Sequence, residues 1–341
     1  MQGFRNTIEK FSTSWFAIVM GTGVFASSTF LIANIYDLTL FYSLFYILTP
    51  LNFILFFVVL VPWIMRWLWF KEEMIEDFKD PIKGNFFYML GIGMLALSTN
   101  LYFYRLYSVA YVFWILGAFS MIILQIALMF LTFVGVRVRL EHINPVWFLG
   151  TTGLLLIPGS GIAILSSGEI NSFHLFIFNF AFGTGFFLYL SLLAIWLYRF
   201  ILHEPLKASR IPLFWINMGP IGAALTSLLT FFHLYPEYMG VSLFFAHLFF
   251  GFGAWWFVMS VLVTLYYIKR IHFTYRSVWW SFTFPVGQYL VGILYLNTFS
   301  NYQSLSLFSL LLYPILIFLW FINVILTLKS IIKKGSSQVP G

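Results

Sequence analysis

Ionisable and nucleophilic side chains are scarce wherever this sequence is apolar. All eleven acidic residues lie between or beyond the long apolar segments, so no pair of carboxylates shares a segment. His247, in "FFAHLFFGFG", is the only histidine well inside one, and there is no cysteine. That inventory excludes disulfides, thiol chemistry, cysteine-ligated metals, a bis-histidine haem site and an aspartate-based intramembrane protease. It provides no aspartate cluster for magnesium-pyrophosphate chemistry. Intramembrane carboxylates are the usual carriers of protons and sodium, so a built-in cation relay is also disfavoured.

What the apolar segments do contain is helix breakers at recurring places: Gly21 and Gly23 in "MGTG", Gly91 and Gly93 in "LGIG", and Pro158, Gly159 and Gly161 in "IPGSG". Two more sets are Gly219, Pro220 and Gly222 in "NMGPIG", and Pro285 and Gly287 in "FPVG". Broken backbone at membrane depth is tolerated where it lines a cavity or is buried in protein. Its freed amides and carbonyls can coordinate an ion without any charged side chain. Thr22, Ser160, Thr283 and Gln288 stand beside these breaks. Each is a candidate polar lining group, or bonds its own helix backbone.

The elements that position these residues follow from hydropathy. The chain has 341 residues, 61% hydrophobic and 9% charged, against about 25% charged in soluble domains. It reads as one all-α integral membrane domain over 1–341, without a nucleic-acid-binding region and with no cofactor implied. Ten segments can cross about 30 Å of hydrocarbon: near 11–32, 41–68, 85–104, 107–133, 146–165, 174–201, 212–232, 241–268, 277–298 and 304–331. The first is too long for a signal-peptide core and reads as a retained helix. With ten crossings, seventeen of the eighteen lysines and arginines fall on one side, Arg105 alone on the other. The positive-inside rule then places both termini in the cytoplasm, including a short tail at 333–341. Arg105 either draws anions to the outer mouth or snorkels among Tyr102, Tyr104 and Tyr107. His247 reads as a packing residue, and "KEEMIEDFKDPIKG" as a solvated amphipathic loop.

The odd-numbered segments carry an internal repeat. Trp15, Phe87, Trp147, Trp215 and Trp280 each precede a glycine by six or seven residues: Gly21, Gly93, Gly153, Gly222 and Gly287. Interfacial tryptophan and packing glycine are common in membranes. Five equivalent occurrences predict five parallel helical hairpins about an axis along the membrane normal. The odd helices would form an inner ring around a central pore.

Three stretches carry a family resemblance that spans essentially the whole chain. "SWFAIVMGTGVFA", "YRFILHEPLKASRIPLFWINMGPIGAA" and "WWSFTFPVG" are similar to motifs of the tellurite-resistance/dicarboxylate transporter family. Its relatives are malate permeases, sulfite pumps, tellurite-resistance proteins and slow-type anion channels. The resemblance implies a homotrimer in the cell membrane, each protomer with its own pore through five kinked odd helices. It implies transport of small anions, either C4-dicarboxylates such as malate or inorganic anions. It also assigns a gate to Phe284, which Pro285 would project across the axis. A proton-linked carrier and a non-transporting receptor or scaffold are the alternatives. One departure is Asp80 before Pro81, where the family often has histidine.

Overall fold

The computed structural model describes residues 2–135, 138–165, 170–203, 208–231, 233–269, 275, 277–300 and 302–336. Among these there are helices and connecting segments but no strand. In chain order the α-helices are α1 (Gln2–Glu9), α2 (Ala17–Tyr36), α3 (Thr39–Trp69), α4 (Lys71–Lys79), α5 (Tyr88–Phe103) and α6 (Tyr107–Val134). They continue with α7 (Phe148–Leu165), α8 (Ser172–Leu202), α9 (Met218–Phe231), α10 (Met239–Ile268), α11 (Thr283–Phe299) and α12 (Gln303–Ser336). Each of the ten apolar segments contains one of these helices, α2, α3 and α5 to α12. Among the described residues, eight helical stretches are long and apolar enough to cross a membrane.

The helices fall into two groups. α2 packs on α5, α5 on α7, α7 on α9, α9 on α11, and α11 back on α2, which closes a ring of five. Outside it, α3, α6, α8, α10 and α12 each pack on the inner helix immediately before them in the chain. The inner helices have 14 to 20 residues and the outer ones 28 to 34. At 1.5 Å per residue an inner α-helix spans only about 21–30 Å, at or below the hydrocarbon thickness.

A 3₁₀ lead-in precedes every inner helix. These are Thr13–Phe16, Gly84–Phe87, Pro145–Trp147, Ala208–Asn217 and Ser277–Phe282. The aromatic residue of each sequence repeat lies in one of them: Trp15, Phe87, Trp147, Trp215 and Trp280. Ser12 Oγ accepts the Ser14 N–H, and Asn144 Oδ1 accepts the Val146 N–H ahead of α7. Asp80 Oδ1 accepts the N–H groups of Ile82 and Lys83 ahead of α5, a side-chain turn that suits Asp. Three of the indoles reach backwards or outwards: Trp147 Nε1 donates to the His142 carbonyl, Trp215 Nε1 to Thr264 of α10, and Trp280 Nε1 to Thr327 of α12.

The loop "KEEMIEDFKDPIKG" is not simply solvated. Residues 71–79 form α4, with Met74 fully buried and Asp77 engaged in ion pairs.

Candidate functional site

Three inner helices, α7, α9 and α11, meet near the starts of α9 and α11. Pro220 and Pro285 are both the third residue of their α-helix. In the first turn the missing N–H has no partner within the α-helix itself, so proline is tolerated there. Each proline marks where 3₁₀ backbone becomes α-helix, inside the apolar segments 212–232 and 277–298. Phe284 is held one residue before that point on α11.

Phe284 is buried, at 3% exposure, and pairs with no aromatic ring among the described residues. A Cβ placed on Gly219 of α9 would lie 3.5 Å from Phe284 Cε1 and 3.4 Å from the Thr152 Oγ1 of α7. The phenyl edge therefore rests over a bare helix surface where α7, α9 and α11 converge. These three helices carry no Asp, Glu, Lys or Arg, and neither do α2 and α5.

The remaining breakers divide by what they touch. A Cβ on Gly222 would meet the Gln288 carbonyl group and the Tyr289 nitrogen at 2.5 Å, so α9 and α11 touch backbone to backbone. Gly21 faces Trp280, Gly23 faces Ala96 and Asn52, Gly91 faces Met121, Gly161 faces Trp114, and Gly287 faces Val24 and Leu316. Gly93 has only Val19 in ordinary contact. Most of these glycines thus permit close helix packing, the usual use of small residues in membranes.

Among the described residues, Pro158 is the one proline beyond the first turn of an inner helix. One residue on, the Ser227 hydroxyl of α9 accepts the Gly159 N–H at 3.0 Å and donates to the Leu155 carbonyl. An undisturbed α-helix would join that amide and carbonyl directly. A hydroxyl inserted into the ladder is a recognised cause of a kink, and here it comes from the neighbouring helix. Nothing in the spacing of Ser227 marked it for this role.

The polar candidates are mostly occupied by neighbours. Thr22 Oγ1 accepts the Trp320 indole N–H, and Thr283 Oγ1 accepts from Asn323, both on α12. Ser160 Oγ donates to the Leu156 carbonyl of its own helix. Gln288 Nε2 donates to Thr226 Oγ1 of α9 at 3.3 Å. A further buried network was not anticipated: Asn100 Nδ2 of α5 donates to the Gly23 carbonyl and to Ser27 Oγ of α2, while Asn52 Nδ2 of α3 donates to Asn100 Oδ1. His247 behaves as a packing residue, with Nδ1 2.7 Å from the Leu243 carbonyl and Nε2 3.3 Å from Ser300 Oγ. Arg105 ends α5 in the left-handed region at φ 67°, with an exposed side chain.

A closed ring of short, uncharged helices sheathed by long apolar ones has the build of a membrane transport protein. The chain matches the SLAC1 family, voltage-dependent anion channel, over residues 10–328 and belongs to that family. The resemblance in the three motifs is therefore borne out, and membership points to an anion channel or transporter rather than an enzyme. The uncharacterized transporter MJ0762 of Methanocaldococcus jannaschii is 34% identical over 338 residues, covering 96% of each chain. The uncharacterized transporter MJ0576 of the same organism is 35% identical over 333 residues, 95% of this chain and 94% of its own.

Proposed function

We propose that the protein passes small anions, C4-dicarboxylates such as malate or inorganic anions, along the axis of the inner ring, and that Phe284 closes the path. The observation that carries this reading is the buried Phe284 ring resting on Gly219 beside Thr152, at the meeting point of three uncharged helices. A hydrophobic constriction closes an ion path by excluding water, without any charge. Selectivity would then come from backbone dipoles at the 3₁₀-to-α junctions and from small hydroxyls such as Thr152.

The proposal includes ten crossings as five parallel hairpins, both termini cytoplasmic, in the cell membrane. It also includes three protomers per assembly, each with its own path. Neighbouring 3₁₀ lead-ins pack against one another around the ring, which supports the parallel arrangement.

The test is anion flux in proteoliposomes, comparing the native chain with Phe284→Ala and Phe284→Leu. Chloride, nitrate, sulfite and malate are offered in turn, with and without a proton gradient. Phe284→Ala is expected to raise flux by about tenfold or more, a barrier lowered by about 1.4 kcal/mol, with no need of the gradient. Phe284→Leu, which keeps bulk, should stay near native. Native flux of malate that requires protons, merely slowed in Phe284→Ala, would replace the gate with a carrier.

A further inference from the structure

A cleft of about 480 Å³ opens at the end of the bundle where the inner helices begin. Phe11, Ser12 and Thr13 at the approach to α2 line one side, and Phe86 and Phe87 at the approach to α5 line another. Two cations converge within it on a single carboxylate. Arg66 Nη2 of α3 is 2.8 Å from Asp77 Oδ2, and Lys83 Nζ is 2.7 Å from Asp77 Oδ1.

Arg66 is held independently of Asp77. Arg66 is 7% exposed, and its Nη1 donates to the Phe11 carbonyl at 3.0 Å. The Lys83 backbone is set by the turn in which Asp80 accepts its N–H at 2.7 Å, and its exposed side chain extends from there to Asp77. The hydrogen bond to Asp77 raises the Lys83 pKa above its usual value, so the ammonium stays charged. Asp77 is different. It belongs to α4, a nine-residue helix between the first two hairpins.

We propose that Arg66 and Lys83 form a binding site for a small carboxylate or similar oxyanion, and that Asp77 occupies this site as a tethered competitor. The geometry is that of carboxylate recognition, one cation to each oxygen. A tethered carboxylate competes at a millimolar or higher effective concentration, so a free anion must exceed that to displace it. Arg66 cannot simply be abandoned, because a buried guanidinium without a counter-charge is costly. Release of α4 is thereby coupled to arrival of an anion. The other charged groups lining the cleft are Lys10, Glu9, Glu73 and Glu76. The two glutamates of α4 would move away from the site together with Asp77.

The proposal rests on the anion-transport reading for its physiological ligand, but the site can be tested without transport. The probe is malonate, added to the purified full-length chain in detergent at constant ionic strength, read as the shift in unfolding midpoint. Asp77→Asn is expected to lower the half-saturating malonate concentration by about tenfold or more, the worth of one charged hydrogen-bond partner. Asp77→Glu should match the native chain, and Lys83→Gln in the Asp77→Asn background should abolish the gain. An Asp77→Asn half-saturation within twofold of native, or a gain that survives Lys83→Gln, overturns the proposal. Should Asp77→Asn fold poorly, purification in malonate must recover it, and failure to do so overturns the site equally. Flux is measured on the same proteins. Absence of flux from every variant would remove the transport reading while a malonate shift left the site standing.

Discussion

The inner and outer helices are both apolar, yet they solve opposite problems. In the stretches 13–36, 84–103 and 211–231, 89%, 67% and 94% of the most apolar window is buried, against 22–33% for the five outer helices. The more buried set is the less hydropathic one. In water that order would be reversed, because burial follows apolar area. In a bilayer the lipid-facing helices must be the most apolar. The interior is held by close backbone approach and by hydroxyls and amides bonding across helices. Glycine and serine therefore have different worth in the two rings, and substitution can measure the difference.

The largest expected contrast is between Gly222 and Gly251. A methyl group at Gly222 of α9 would sit 2.5 Å from backbone atoms of α11, whereas at Gly251 of α10 nothing lies within 4 Å. Backbone of a packed helix cannot yield as a side chain can. Gly222→Ala is expected to lower stability by about 1–3 kcal/mol or more through overpacking. Gly251→Ala should be neutral or stabilising by up to about 1 kcal/mol, since alanine favours the helix. Unfolding midpoints in detergent, with size-exclusion profiles, check both. Equal effects would mean that α9 and α11 separate readily and that the ring is not the rigid part.

A smaller contrast uses serine. Ser227 joins α9 to the break in α7, while Ser191 of α8 is exposed and bonds only the Phe187 carbonyl of its own helix. Ser227→Ala leaves a buried amide and carbonyl to find each other across a proline-distorted turn, at a cost of about 1–3 kcal/mol. Ser191→Ala should fall within about 0.5 kcal/mol of native. If Ser227→Ala were equally mild, the α7 ladder would close without help, and the kink would belong to Pro158 alone.

The same contrast explains what could be read from the sequence. The helices were legible because their segments are long and predominantly apolar, and the aromatic-to-glycine interval was legible because it recurs five times. Its structural meaning, a 3₁₀ lead-in passing into α-helix near Pro220 and Pro285, was not legible. Facing direction was hidden for a physical reason. A helix buried on all sides has no polar stripe to orient it. Thr22 and Thr283 therefore read as lining candidates although their hydroxyls meet α12. The Arg66–Asp77–Lys83 cluster was missed because a charge run at a helix end reads as solvated until tertiary structure folds α4 back over α3.

The finest test concerns the ends of the ring. Both α2 and α5 close on a left-handed residue that is not glycine, Asp37 at φ 52° and Arg105 at φ 67°. The Leu38 N–H returns to the Ala33 carbonyl, and the Leu106 N–H to the Leu101 carbonyl, the bonding of a Schellman cap. Glycine would take this conformation without the Cβ clash, which costs about 1–2 kcal/mol in other residues, but glycine also loses more entropy on folding. The net expectation for Arg105→Gly is a stabilisation of about 0.5–1 kcal/mol. Arg105→Gln keeps the strain and removes only the charge, so its unfolding midpoint should stay at the native value. Flux separates the other role: if the guanidinium draws anions to the outer mouth, both variants lose flux equally, and the loss shrinks as salt screens the charge. A higher midpoint for Arg105→Gly with flux unchanged in both variants would mean that Arg105 matters to this helix end as backbone, not as a cation.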